Sequence, residues 1–380
     1  MNEKSLIEKF VEEHKEETLE IIKTLAAIPA PSGKEEKRAE FVLKWLKNHG
    51  AEEAFIDSAG NVIYQYPADA KGRFTVVTAH TDVVFPDETP LPIADQGGLL
   101  VGPGVRDDTA NLVNMLMGIR YLLEHKIPAD NPILFAAVVG EEGLGNLKGS
   151  RQIWDTYGNQ IDQWVSFDLN YDIIYNRAVG SHRYRIAIHT EGGHSYKDFG
   201  NQNAIAQLAE LVTELYQISA SVDPKVTYNV GVIEGGTSVN TIAQEAHMLY
   251  EFRSDSQDEL KKMEKIFKDI LQKHQQMGKQ ICCETVGIRP GNGKIDQKKQ
   301  MALEALGLKV IKKYYDRNVE MQSGSTDCNI PLSHGVPSIC IGTAMGEKTH
   351  TRQETVQKES LVTGQKIALG MLEQLLKAVP

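Results

Sequence analysis

The sequence is short of cysteine and of long apolar runs. Four cysteines in 380 residues, Cys282, Cys283, Cys328 and Cys340, are too few and too unevenly placed for a disulfide framework or a Cys-x-x-Cys metal site. They read as reduced, mostly buried thiols. No apolar run is long enough to cross a bilayer, and residues 1–20 are charged throughout, where a signal peptide would carry an apolar centre. No run of lysine and arginine stands out. With 41 basic against 51 acidic residues and a formal net charge of -10, the electrostatic footprint of a nucleic-acid binder is missing. Internal repeats and low-complexity segments are also absent. These absences lead us to expect a soluble cytoplasmic protein with neither nucleic acid nor membrane as partner.

At 380 residues the chain exceeds the size at which a single core stops growing, so two domains are expected. The organising stretch is 132–143, Pro-Ile-Leu-Phe-Ala-Ala-Val-Val-Gly-Glu-Glu-Gly. Its apolar part, 133–139, has no polar face, as in a strand buried on both sides of a parallel sheet. It stops in Glu141 and Glu142, where open α/β sheets place their ligands. Neighbouring extended residues point in opposite directions, so the two acids can do two jobs. Two more apolar segments end in the same way: 74–79 runs into His80-Thr81-Asp82, and 164–167 into Asp168. Asp107 and Asp108 precede a helical pattern from Leu112 to Leu123, where the helix dipole favours carboxylates.

Around these lie an expected helix at 4–27, a second helix opened by a Ser32/Glu35 capping box and stopped at Gly50, and short strands at 55–56 and 62–66. The pattern changes near Gly180. A strand around Tyr184, a helix at 203–218, two strands within 227–252, a helix at 257–276 and a strand at 280–286 give the order β-α-β-β-α-β of a ferredoxin-like unit. Helical patterns at 301–306 and 326–333, a buried strand at 338–342 and a closing amphipathic helix then return to the first domain. The expected fold class is therefore α/β: a discontinuous domain, 1–179 with 290–380, built on a central mixed sheet, and an inserted α+β lid at 180–289.

His80, Asp107, Glu142, Asp168 and His350 are all nitrogen or oxygen ligands suited to zinc and similar ions. Five exceed what one tetrahedral catalytic zinc takes; shared through one bridging carboxylate, they would serve two metals. Glu141 would then be free to act as general base, and Asp82 could accept the other ring N–H of His80. Each residue has a plainer alternative, as a solvated loop acid, a structural histidine, a helix cap or a turn residue. Repetition of the same arrangement at successive strand ends argues against coincidence.

The segments Ala-His-Thr-Asp-Val-Val, Gly-Pro-Gly-Val-Arg-Asp-Asp, Gly-Glu-Glu-Gly, Ser-Phe-Asp and Lys-Thr-His-Thr-Arg-Gln-Glu together resemble the M20-type dinuclear-zinc metallopeptidase and amidohydrolase family. The resemblance covers essentially the whole chain. It implies a zinc-exopeptidase-like catalytic domain with His80, Asp107, Glu142, Asp168 and His350 as ligands, Asp107 bridging, Glu141 as base and Asp82 orienting His80. Glu-Gly-Gly-His-Ser-Tyr implies that His194 stabilises the tetrahedral oxyanion, in relatives often across a dimer interface. Gly-Gly-Thr-Ser-Val-Asn places Asn240, Glu-Phe-Arg-Ser places Arg253, and Ser-Gly-Ser-Thr-Asp places Ser325 at substrate-binding positions, with Arg253 suited to a substrate carboxylate.

Thr109 stands where many members have Lys, Pro103 where many have Arg, and Tyr196 where many have Ser; none of these removes a ligand. Asp at position 168 is commoner among the family's peptidases than among its deacylases. The implied function is metal-dependent hydrolysis of an amide bond in a short peptide by a di-/tripeptidase or carboxypeptidase. An N-acyl amino acid deacylase, or a catalytically idle binding relative, is the alternative. Two divalent ions are implied, zinc first and cobalt or manganese next, with a homodimer formed through the lid. Lid closure would exclude water from the bound substrate. A cysteine hydrolase using Cys328 or Cys340 is disfavoured, because nothing in the pattern would lower a thiol pKa there.

Overall fold

The computed structural model describes residues 4–377. The chain divides into two compact units, one formed by residues up to Ala178 together with those from Gly293, the other by Val179–Asn292.

The first unit is built on an eight-stranded mixed sheet. Its strand order is Phe55–Ile56, Val62–Tyr66, Ile133–Val138, Phe74–His80, Ile161–Phe167, Ser338–Ile341, Ile173–Ala178 and Glu320–Gly324. The four middle strands, Ile133–Val138, Phe74–His80, Ile161–Phe167 and Ser338–Ile341, are mutually parallel. Both faces are covered, and side chains alternate between them as the pleat requires. Ile133, Phe135 and Ala137 enter one core, which they share with the helices Leu6–Ala27, Asn111–His125, Gln297–Tyr314 and Lys358–Leu375. Leu134, Ala136 and Val138 enter a smaller core on the other face with Ile153, Trp164, Cys328 and Leu332. Burial of each such side chain contributes about 1.5–3 kcal/mol, which is why this run carries no polar position.

The helix Leu6–Ala27 opens on a capping box in which Ser5 and Glu8 bond each other's main chain, and the extended backbone of Ile28 before Pro29 ends it. The capping box expected of Ser32 and Glu35 does not form. The helix Glu36–Asn48 has no side-chain cap; Ser32 instead donates to Asp82, 2.6 Å away, and Glu35 accepts from Gly33 N and Gly140 N. The two residues are drawn into the site because Asp82 and the Gly140 turn offer buried partners that a solvent-exposed helix end cannot match.

Two strands at one side of the sheet, Ile173–Ala178 and the edge strand Glu320–Gly324, were not anticipated; they are short, partly exposed and carry polar residues such as Asn176, Arg177, Gln322 and Ser323, which blurs the alternation of a strand. The expected helix at 301–306 extends over Gln297–Tyr314, and the one at 326–333 is only Asn329–Ser333.

The second unit is a four-stranded antiparallel sheet in the order Val226–Gly235, Glu245–Ser254, Gly180–His189, Gln280–Arg289. The helices Ala204–Leu215 and Gln257–Gln276 supply Leu208, Leu211, Leu260 and Phe267 to a core shared with Ile186, Met248, Tyr250 and Phe252. Asn203 and Ser256 cap these helices. The order and pairing are those of a ferredoxin-like unit.

No helix among the described residues is long and apolar enough to cross a membrane. Of the four free thiols, Cys282 and Cys283 are exposed rather than buried, while Cys328 and Cys340 are buried.

Candidate metal centre

The four parallel strands discharge at one end of the sheet. Phe74–His80 ends in His80, Ile133–Val138 leads to Glu141 and Glu142, and Ile161–Phe167 leads to Asp168. Ser338–Ile341 leads into the segment 342–354, which carries His350. Asp107 arrives from the kinked turn Val105–Ala110 before the helix Asn111–His125. Residues spread over positions 80–350 thus meet at the carboxyl ends of adjacent strands.

Asp107 sits between two histidines. Its Oδ1 lies 3.0 Å from His80 Nε2 and its Oδ2 lies 3.4 Å from His350 Nε2. His350 Nε2 is also 3.0 Å from Glu142 Oε1, and His80 Nε2 is 4.0 Å from Asp168 Oδ1. Two triads result, His80–Asp107–Asp168 and Asp107–Glu142–His350, each with ligand atoms within 4.8 Å of one another and with Asp107 common to both. Ligands about 2.0–2.1 Å from a shared tetrahedral ion stand about 3.3 Å apart, so the spacing fits one ion in each triad. Asp168 Oδ1 is buried without a hydrogen-bond partner, as suits an oxygen reserved for a cation. His80 Nδ1 faces the main-chain oxygen of Asp82 at 3.0 Å; donation there leaves the Nε2 lone pair directed at the site.

The electrostatics show the same excess of negative charge. Burial pushes the Glu142 carboxyl up to about 7, with Asp107 adding to the push. Burial and Asp107 likewise raise Asp168 well above the usual range. Asp107 is also buried, yet hydrogen bonds from His350 and His80 hold it below that range. Those bonds to Asp107 and Glu142 raise His350 to about 10. Burial opposes charge on His80, but Asp108, Asp107 and Asp82 raise its pKa all the same. So many carboxylates in so little volume call for more cationic compensation than two histidines and Arg106, 4.0 Å from Asp107 Oδ2, supply.

Asp82 plays a wider part than orienting His80. Its Oδ1 is 3.4 Å from His80 Nδ1, but the carboxylate also accepts from Glu141 N at 3.0 Å, Glu142 N at 2.9 Å and Ser32 Oγ at 2.6 Å. It therefore fixes the main chain that carries Glu141 and Glu142. Glu141, 5 % exposed, forms a third triad with His80 and Glu142.

Sequence reasoning missed Arg38, which is wholly buried and donates to Thr81 O at 3.0 Å and to Thr109 Oγ1 at 3.2 Å. Burial lowers it to about 10 against the pull of Asp82 and Asp108. Thr109, the departure from the family's Lys, thus receives a cation from the helix Glu36–Asn48 instead. The pattern of that helix held one signal, a charged residue at a position whose neighbours Ala39 and Val42 are core. Burial raises both Cys328 and Cys340, so neither is a thiolate nucleophile.

Ser325 lies in the first unit just after the strand Glu320–Gly324. The remaining expected residues belong to the second unit. His194 is exposed on Gly193–His194, paired with Thr241–Ile242. Its Nδ1 accepts from Tyr196 N at 3.2 Å and Lys197 N at 3.4 Å, which leaves the proton of the neutral ring on Nε2. Asn240 adjoins it in the ladder, its main-chain oxygen accepting from Ser195 N. Arg253 is engaged by Glu251, with Nε 2.8 Å from Oε1 and Nη2 3.1 Å from Oε2; a guanidinium has five N–H donors, and this pairing uses two of them.

Comparison with known proteins agrees with this architecture. Residues 176–279 match the peptidase dimerisation domain of the M20 group, and residues 61–227 match peptidase family M28. The protein YqjE of Bacillus subtilis is 25% identical over 400 aligned residues, covering 99% of this chain and 100% of its own. The aminopeptidase PepT of Bacillus cereus shares the fold with a TM-score of 0.74 at 22% identity, over 96% of this chain and 99% of that one. YxeP of Bacillus subtilis, described as a dinuclear metal-binding peptidase of the M20 family, does so with a TM-score of 0.62 at 16% identity, over 96% and 99%. With the peptidase dimerisation domain matched in the inserted unit and two candidate ligand triads sharing one aspartate at the strand ends, the chain resembles the M20-type metallopeptidases in fold and in its candidate metal centre.

Proposed function

We propose that the protein is a metal-dependent exopeptidase that hydrolyses an amide bond in a short peptide. One observation carries the reading: the two oxygens of Asp107 face two different histidines, at 3.0 and 3.4 Å, with Glu141 packed against the same cluster. His80, Asp107 and Asp168 would hold one divalent ion and Asp107, Glu142 and His350 the other. Zinc suits this donor set, with cobalt or manganese as substitutes. When bound, such a pair supplies Lewis acidity toward a carbonyl oxygen and a water.

Glu141 takes the proton of the attacking water and returns it to the leaving nitrogen. Asp82 keeps Glu141 aimed by holding its main-chain N–H. His194, with its proton on Nε2, presents a donor suited to the oxyanion of the tetrahedral intermediate. Asn240, Ser325 and Arg253 would contact the substrate. The dimerisation-domain match supports a homodimer formed through the second unit.

The test is product profiling of a peptide and N-acyl amino acid library by mass spectrometry, with Glu141→Ala beside the parent. Release of terminal residues from di- or tripeptides by the parent, with at least about a 100-fold loss in a Glu141→Ala variant that still binds metal, is the expected result. Cleavage confined to N-acyl amino acids would reassign the enzyme to the deacylases. A near-normal rate in the variant would remove Glu141 from the role of base, and silence of the parent despite bound metal would make it an idle binding relative.

A further inference from the structure

Glu354 ends the segment Lys-Thr-His-Thr-Arg-Gln-Glu, yet none of the roles assigned above uses it. It is 1% exposed, and its carboxylate faces main-chain donors on two sides. Oε1 accepts from Arg106 N at 2.8 Å and Asp107 N at 2.9 Å, while Oε2 accepts from His350 N at 3.3 Å. One buried carboxylate thus ties the backbone of the acid common to both triads to the backbone of the histidine found in only one.

A second observation concerns His350 itself. Its φ is 61°, in the left-handed region that a residue with a Cβ occupies only when its surroundings hold it there. Its side chain is 53% exposed, against 1% for His80. The ring of His80 is fixed by its place at a strand end and by Asp82, whereas His350 stands on a loop. Arg106 braces that loop from the same turn as Asp107: Nη2 donates to the neighbouring Thr349 Oγ1, and Nη1 donates to Asn170 Oδ1 at 3.2 Å, two residues beyond Asp168.

We infer that Glu354 is the positioning residue that keeps the two halves of the metal pair in register, and that without its carboxylate the ion held by Glu142 and His350 is the one lost. This inference rests on the dinuclear reading proposed above. The chemistry of a glutamine replacement makes it specific. Glutamine keeps one acceptor oxygen, which the two N–H groups of Arg106 and Asp107 claim, and sets an N–H donor against the N–H of His350. Asp107 keeps its anchor and His350 loses its own.

The experiment titrates cobalt(II) into chelator-treated parent, Glu354→Gln and Glu354→Asp, following the visible absorption bands and metal content per chain, with the melting of each metal-free protein beside them. The parent is expected to take up cobalt in two steps. In Glu354→Gln the first step should be unchanged and the second weakened by about 10- to 100-fold, as when other outer partners of metal ligands are removed, with metal-free melting like the parent's. Glu354→Asp keeps the charge but is one methylene too short to reach both sides, and the same selective loss is expected; it decides the matter if the glutamine variant does not fold. Parent-like binding of both ions in these variants overturns the inference, and so does equal weakening of both steps with lowered metal-free melting, the mark of a general structural role. A parent that takes up no cobalt overturns the metal centre itself, and the inference with it.

Discussion

Asp327 is 1% exposed and takes a 2.6 Å hydrogen bond from Ser150 Oγ. Burial, with the nearby charge of Glu141, pushes its carboxyl up to about 7 from an ordinary 3.8. A raised carboxyl keeps its proton in the folded state at a pH where the unfolded chain has released it. Stability is therefore greatest below the ordinary value and is lost as pH rises toward 7. Asn in its place still accepts from Ser150 and cannot ionise. In chelator, urea unfolding should show Asp327→Asn more stable than the parent by a margin that grows from pH 5 to pH 8, with an upper limit of order 4 kcal/mol. A margin independent of pH would mean that Asp327 does not ionise in this range.

At this scale the sequence showed its candidate ligands plainly, because His80, the pair Glu141-Glu142 and Asp168 each follow a segment dominated by apolar residues. Ser32, Arg38, Asp327 and Glu354 were hidden for the converse reason: each acts on the main chain or side chain of a distant segment, and no local pattern records which segment that will be.

The turn after Ile133–Val138 is held by the helix Lys148–Tyr157, whose second residue is Gly149. Gly149 N donates to Val139 O at 2.9 Å, and Asn61 bridges the pair through Gly149 O at 3.1 Å and Val139 N at 3.0 Å. A Cβ on Gly149 would lie 2.7 Å from both Val139 N and Val139 O, so helix and strand would have to part. Gly149→Ala should cost about 1–3 kcal/mol in chemical unfolding and lower turnover by displacing Glu141 and Glu142. Unchanged stability would show that the helix can retreat freely. The elements themselves were legible where both faces are buried or the alternation is clean, as in Ile133–Val138 and Glu245–Ser254. They were not legible at Ile173–Ala178 and Glu320–Gly324, which owe their strand form to neighbours rather than to their own residues.

Each unit has a core of its own, and every candidate ligand belongs to the first. Metal binding therefore stabilises that unit alone, by about 4 kcal/mol at a thousandfold excess over Kd. Calorimetry with and without zinc should show one transition that moves with metal and one that does not. A single transition moving as a whole would mean that the two cores unfold together.

The candidate ligands His80 and His350 stand 270 positions apart, one at the end of the strand Phe74–His80 and the other on the loop after Ser338–Ile341, two strands joined in the sheet only through Ile161–Phe167 between them. His80 and Asp107 are 27 positions apart and Asp107 and Glu142 are 35, so an unfolded chain completes neither triad until loops of this length and longer have closed. Metal can therefore reward a folding chain only at the end of its search: it acts as a latch that delays unfolding and leaves the time needed to find the native sheet unchanged.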